Sequence, residues 1–174
     1  MRKTGKRIVV LMAALCAFLA VTATAYGAEG GSVSYEGQSG LFVFAPGSEE
    51  SPTDLFSGLK DIMPGDVRTD QIVVKNNAET EADVVIYLRL AGVQEDTEGF
   101  LDQLTLTIRQ NDSSELYTGP ASGTAGLSDW VSLGTFAHGA SVTLDLTLEV
   151  PVTMGNEFQN AVGHLTWQFK VEEL

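Results

Sequence analysis

The chain has a single cysteine, Cys16, inside an apolar N-terminal run, so no thiol is left once that run is removed. Disulfides, thiol catalysis and thiolate metal sites are therefore not expected in the mature chain. Histidine is almost as scarce: His138 and His164 stand 26 residues apart, and neither lies in an H-E-x-x-H pattern. There is no G-x-S-x-G elbow, no phosphate-cradling glycine loop and no long amphipathic helical pattern. These gaps leave no catalytic constellation, no cofactor site and no metal site to name. By elimination the sequence is read as that of an interaction or structural protein, not an enzyme.

Positive charge is the other shortage. Four of the ten basic residues (Arg2, Lys3, Lys6 and Arg7) precede an apolar run, and Ala23-Thr24-Ala25 follows it as an A-x-A cleavage pattern. This is the layout of a secretory signal over residues 1–28, cut after Ala25, Gly27 or Ala28. Leu15 before Cys16 and the apolar sequence after it do not fit a lipoprotein signal. The mature chain keeps six basic side chains against 23 acidic ones, a net charge of −17. Nucleic acid and anionic lipid are disfavoured as partners, since no basic patch is evident to neutralise phosphate. Once the signal is cleaved, no transmembrane anchor is expected. The end of the sequence, Val171-Glu172-Glu173-Leu174, carries no L-P-x-T-G sortase motif.

What is present is strand pattern. Residues 41–174 read as one β-domain, preceded by a flexible Gly/Ser-rich segment over 29–40. A chain of about 146 residues buries enough surface to fold without cross-links. Val84, Ile86, Leu88 and Leu90 alternate with Val85, Tyr87 and Arg89; Val142, Leu144, Leu146, Leu148 and Val150 alternate with Thr143, Asp145, Thr147 and Glu149. Such period-two runs mark strands with one buried face. Leu165, Trp167, Phe169 and Val171 are placed inward on the last strand, and Trp130 over one edge of the core. Seven to nine short strands, with one or two helical turns around Leu55-Phe56 and residues 97–104, predict an all-β antiparallel sandwich. The strand pattern by itself leaves a jelly-roll-like and an Ig-like strand order both open.

Residues 61–90 are read as a turn at Pro64-Gly65-Asp66 followed by a core hairpin. Pro sets φ at the first central position, and Gly accepts positive φ at the next. The units MPGDVRTDQIVVKN and AHGASVTLDLTLEV look alike, as similar hairpins in two sheets would. The Gly/Ser/Ala/Pro loop over 118–128 is where local disorder is expected.

Ser32, Val33, Ser34 and Tyr35, with Leu41, Phe42, Val43 and Phe44 beyond them, form the candidate functional segment. They are read either as a frayed terminus or as an edge strand that can be lent to a neighbouring molecule. Glu95, Asp96, Glu98 and Asp102 are read as a solvated acidic face, because they lack the D-x-D-x-D-G spacing of a Ca²⁺ loop. Asn111-Asp112-Ser113 matches the glycosylation pattern without further support.

The order of several motifs resembles the TasA/camelysin family of Gram-positive secreted surface proteins. The matching pieces are a signal, a strand pair over 32–44 and Leu59-Lys60-Asp61-Ile62-Met63-Pro64-Gly65-Asp66. Val74-Lys75-Asn76-Asn77, Gly99-Phe100-Leu101-Asp102-Gln103-Leu104 and Gly155-Asn156-Glu157-Phe158-Gln159-Asn160 complete the series. The resemblance implies a jelly-roll sandwich exported to the cell surface or biofilm matrix. Its partners would be further copies or related surface proteins, with the strand at residues 29–44 completing the sheet of the next subunit. Camelysin is described as a metalloprotease; with no recognisable zinc motif here, that activity is not carried over.

Overall fold

The computed structural model describes residues 31–37, 42–45, 59, 62–79, 82–111 and 114–174. The expected signal, Leu41, the turn at Leu55-Phe56, Lys60 and Asp61 lie outside them. Nine strands follow one another: β1 (Ser32–Tyr35), β2 (Phe42–Ala45), β3 (Val67–Asn76), β4 (Val84–Asp96), β5 (Thr105–Gln110), β6 (Ser114–Pro120), β7 (Val131–Phe136), β8 (Ser141–Glu149) and β9 (Gly163–Glu173). One short helix, α1 (Phe100–Gln103), and 3₁₀ turns at Thr97–Gly99 and Asn156–Phe158 are the helical pieces among the described residues.

The strands form a sandwich of a six-stranded sheet, ordered β2-β1-β3-β8-β5-β6, and a three-stranded sheet, ordered β7-β4-β9. The alternation seen in the sequence decides what each strand buries. Ile72 and Val74 on β3, Val142, Leu144, Leu146 and Leu148 on β8, and Leu106 and Ile108 on β5 are buried from one side. Val84, Ile86, Leu88 and Leu90 of β4 are buried from the other. Leu165, Trp167, Phe169 and Val171 share the inward face of β9 but are only half-buried, because β9 flanks the core instead of crossing its centre.

The pairing is nested. β5 pairs with β6, β4 with β7 and β3 with β8, all antiparallel, as in one long hairpin rolled up on itself. Closure comes from β5 pairing with β8 on its other side. This rolled winding is that of a jelly roll, shortened to six strands, with β9 added beside β4 and β1–β2 beside β3. A single pair departs from the antiparallel rule: β1 runs parallel to β3.

Three sequence expectations need correction. β3 and β4 do not pair with each other, so residues 61–90 form no hairpin; the connection arches from one sheet to the other. Asn76 anchors that arch. It is fully buried, its Nδ2 donates to Phe136 O (3.1 Å), and its Oδ1 accepts from Ala78 N (3.1 Å). The two look-alike units prove to be β3 and β8, neighbours in one sheet instead of hairpins in two.

The loop after β6 is packed, not loose. At a spacing of about 4.8 Å per strand, three strands cannot cover six. Ala121 and Leu127, with Leu101 and Leu104 of the α1 region, bury the uncovered end. Leu90 N donates to Leu127 O (2.8 Å), and Gly123, at φ +74°, lies so close to Leu90 that a Cβ there would run into Leu90 Cδ2.

Candidate functional site: the N-terminal strand and its seat

β1 is short because little in it favours a strand beyond Val33 and Tyr35, yet both are almost wholly buried, at 0% and 1% exposure. The parallel register sets Ser32 opposite Val73 and Tyr35 opposite Asn76. Val73 N donates to Gly31 O (3.1 Å) and Asn77 N donates to Tyr35 O (2.8 Å), closing the ladder at both ends. On its other edge β1 pairs antiparallel with β2, Ser34 opposite Val43 and Val33 opposite Phe44.

Side chains lock the end of β1. The Tyr35 phenol crosses the sandwich and donates to Glu173 Oε1 of β9 (2.9 Å). The Tyr35 ring lies 5.6 Å from Phe42, which in turn lies 6.0 Å from Phe169. The Glu36 carboxylate accepts from Ser34 Oγ (2.5 Å) and from Asn77 Nδ2 (2.9 Å). Those two bonds, Ser34 first, hold the Glu36 carboxyl below its ordinary value. Burial, followed by the bond to Glu173, raises the Tyr35 phenol above its own.

Magnitudes set how firmly the seat holds β1. Burying a valine and a tyrosine stabilises by roughly 5–8 kcal/mol. Ordering four backbone residues costs about 4–8 kcal/mol. The seat therefore demands a strand, but the net hold on any particular copy of it is small. Val43 on β2 is 49% exposed, while Leu41 lies outside the described residues.

At Pro64-Gly65-Asp66, Asp66 N donates to Met63 O (2.9 Å) and Gly65 sits at φ +88°. The turn is tied to the end of β8 by Gly65 N to Val150 O (3.0 Å) and Val150 N to Asp66 O (2.9 Å). The carboxylate of the turn is engaged locally: Asp66 Oδ2 accepts from Met63 N (3.1 Å) and from Arg68 Nη2 (3.0 Å).

Several of the remaining polar candidates are engaged within the fold. His138 Nδ1 meets Ala78 O; a carbonyl only accepts, so the ring proton is on Nδ1. Asp96 Oδ1 accepts from Leu101 N (2.9 Å), and Asp102 accepts from the Ser122 hydroxyl. The side chains of Glu95 and Glu98 lie outside the described residues, as do Asp112 and Ser113. Asn111 Oδ1 accepts from Thr143 N (3.1 Å). Among the described residues no group of three or more His, Cys, Asp or Glu could hold a metal ion, and no helix is long and apolar enough to cross a membrane.

Sequence reasoning missed one cluster. Trp130 does not cover the core: it lies on the outward face of the three-stranded sheet, with Arg89 Cζ 4.3 Å from its ring centroid and Lys170 Nζ 5.2 Å away. The outward alternation of Tyr87 and Arg89 was visible; the pairing that brings Lys170 and Trp130 beside them was not. Comparison with protein-family models, curated proteins and solved structures finds no match, so the functional reading rests on this geometry and on the motif order of the sequence.

Proposed function

We propose that the chain is a secreted, non-enzymatic structural protein of the cell surface or biofilm matrix that assembles by β-strand addition. In this reading β1 of one copy takes the seat beside β3 of the next, and β2 follows it. The observation that carries it is the seat itself: a terminal four-residue strand supplies Val33 and Tyr35 to the core, and an identical strand from a second copy offers the same side chains to the same positions. Exchange of this kind leaves every contact intact and changes only which molecule makes it. The resemblance to the TasA/camelysin family supports the same reading.

High salt favours the assembly, because screening weakens the repulsion between strongly acidic copies. The test is to delete residues 29–37 and follow the protein by electron microscopy and size-exclusion chromatography. The full-length mature protein forms polymers; the truncated one stays monomeric and takes up a synthetic peptide spanning residues 29–45. Fibres from the truncated protein would rule out strand donation by this segment.

A further inference from the structure

The outward face of the three-stranded sheet is built differently from the rest of this acidic molecule. Tyr87 and Arg89 point away from the buried Ile86 and Leu88, and across β9 they face Lys170 and Gln168 in register. Trp130 precedes β7, whose Val131 lies opposite Leu88, and its half-buried ring reaches over the same face. Lys170 Nζ sits 4.3 Å from the Tyr87 ring centroid and 5.2 Å from that of Trp130. Arg89 Nε and Nη2 both donate to Gln168 Oε1, at 2.9 and 2.7 Å. Lys170 donates to Glu172 Oε1 (2.7 Å), and the Tyr87 hydroxyl donates to Glu172 Oε2 (2.9 Å).

Two of the mature chain's six cations are thus held against two aromatic rings, with the Glu172 carboxylate bonded to Lys170 and Tyr87. Each cation keeps donors to spare. A guanidinium has five N–H groups, of which Gln168 takes two, and an ammonium has three, of which Glu172 takes one. Stacking and hydrogen bonds have already ordered these long side chains, so a ligand does not bear that cost.

We propose that this face binds an oligosaccharide that carries carboxylate groups, a uronate-containing glycan. The C–H face of a pyranose ring packs on Trp130 and Tyr87, while its carboxylate receives charge-assisted bonds from Arg89 and Lys170. Charge complementarity selects an anion, and the rings select a flat, partly apolar one. Nucleic acid is the less favoured anion: its affinity grows with the number of phosphates neutralised, and only two cations are held here, whereas a single uronate brings one carboxylate and one ring face together. The proposal holds whether or not the chain polymerises.

The test is titration of the secreted protein with a galacturonate hexamer, maltohexaose and a single-stranded oligonucleotide, followed by calorimetry and tryptophan fluorescence. The galacturonate hexamer binds more tightly than maltohexaose, and rising salt weakens it. Trp130→Ala and the double variant Arg89→Gln/Lys170→Gln each weaken binding about tenfold or more, while Trp130→Phe keeps most of it. Thermal unfolding of each variant confirms that it is folded. Three results would overturn the proposal: no uronate binding, binding unchanged in Trp130→Ala, or oligonucleotide binding as tight as that of the hexamer.

Discussion

If β1 is seated in the core, its tyrosine is the side chain on which the seat most depends. Tyr35 is 1% exposed and packs against Phe42, so Tyr35→Ala removes an aromatic ring from a closed site. Large-to-small changes of that kind cost about 3–5 kcal/mol, the transfer of the ring plus the cavity it leaves. Tyr35→Phe keeps the ring and loses only the hydrogen bond to Glu173, a cost of about 1 kcal/mol. Urea unfolding followed by far-ultraviolet circular dichroism separates the two. With a slope near 2 kcal/mol/M, the midpoint falls by about 2 M for the alanine variant and about 0.5 M for the phenylalanine one.

The same pair has a pH signature. The phenol is raised in the folded protein, so its contribution is complete below the unfolded value of 10.0 and is lost as pH rises through the folded one. The native protein therefore loses stability on the alkaline side more steeply than Tyr35→Phe does. An alanine variant within about 0.5 kcal/mol of the native protein, the ordinary range for an exposed site, would mean that β1 is not seated as described.

Two further outcomes follow from the geometry. The Glu36 carboxyl is held low by Ser34 and Asn77, so its stabilising share is present above 4.5 and lost as pH falls through the folded value; acid titration of Glu36→Gln, read by circular dichroism, lacks that component. Gly123→Ala places a Cβ against Leu90 at a positive φ and costs about 2–4 kcal/mol, seen as a lower melting temperature.

The strands that read most plainly in the sequence were those with one face buried along their whole length. β4 alternates from Val84 to Leu90 and β8 from Val142 to Leu148, and each inward apolar position of those runs is buried. Periodicity reports a buried face, however, and carries nothing about which strand lies alongside. β3 and β4 are adjacent in sequence and were taken for a hairpin, yet the arch at Asn76 sends them to opposite sheets. An Asn-rich stretch suits a tight turn and an arch equally well. The loop around Gly123 and Leu127 looked loose because small residues outnumber apolar ones in it. Its order comes from a single buried leucine and a glycine close to Leu90, neither of which makes a pattern. Of the candidate segment, the sequence marks Val33 to Tyr35 only as a short β-capable core in a Gly/Ser-rich stretch, and it gives no sign of the parallel partner, since parallel pairing needs contacts far along the chain.

The nested pairing also sets an order in time. β5 and β6 follow each other closely and can pair at once, whereas β4 must wait for β7, 43 to 52 residues on, and β3 for β8, 66 to 82 residues on. Loop-closure entropy makes those pairings progressively later and slower. β1, first of the strands, is thus among the last to find its place, because it pairs on the edge of β3 that β8 leaves free and is buried only once β3 is in the sheet. During that interval Val33 and Tyr35 have no closed core to enter. If copies assemble by strand addition, as proposed, that wait is when a second copy competes for the seat, and local concentration then weighs more than the finished fold.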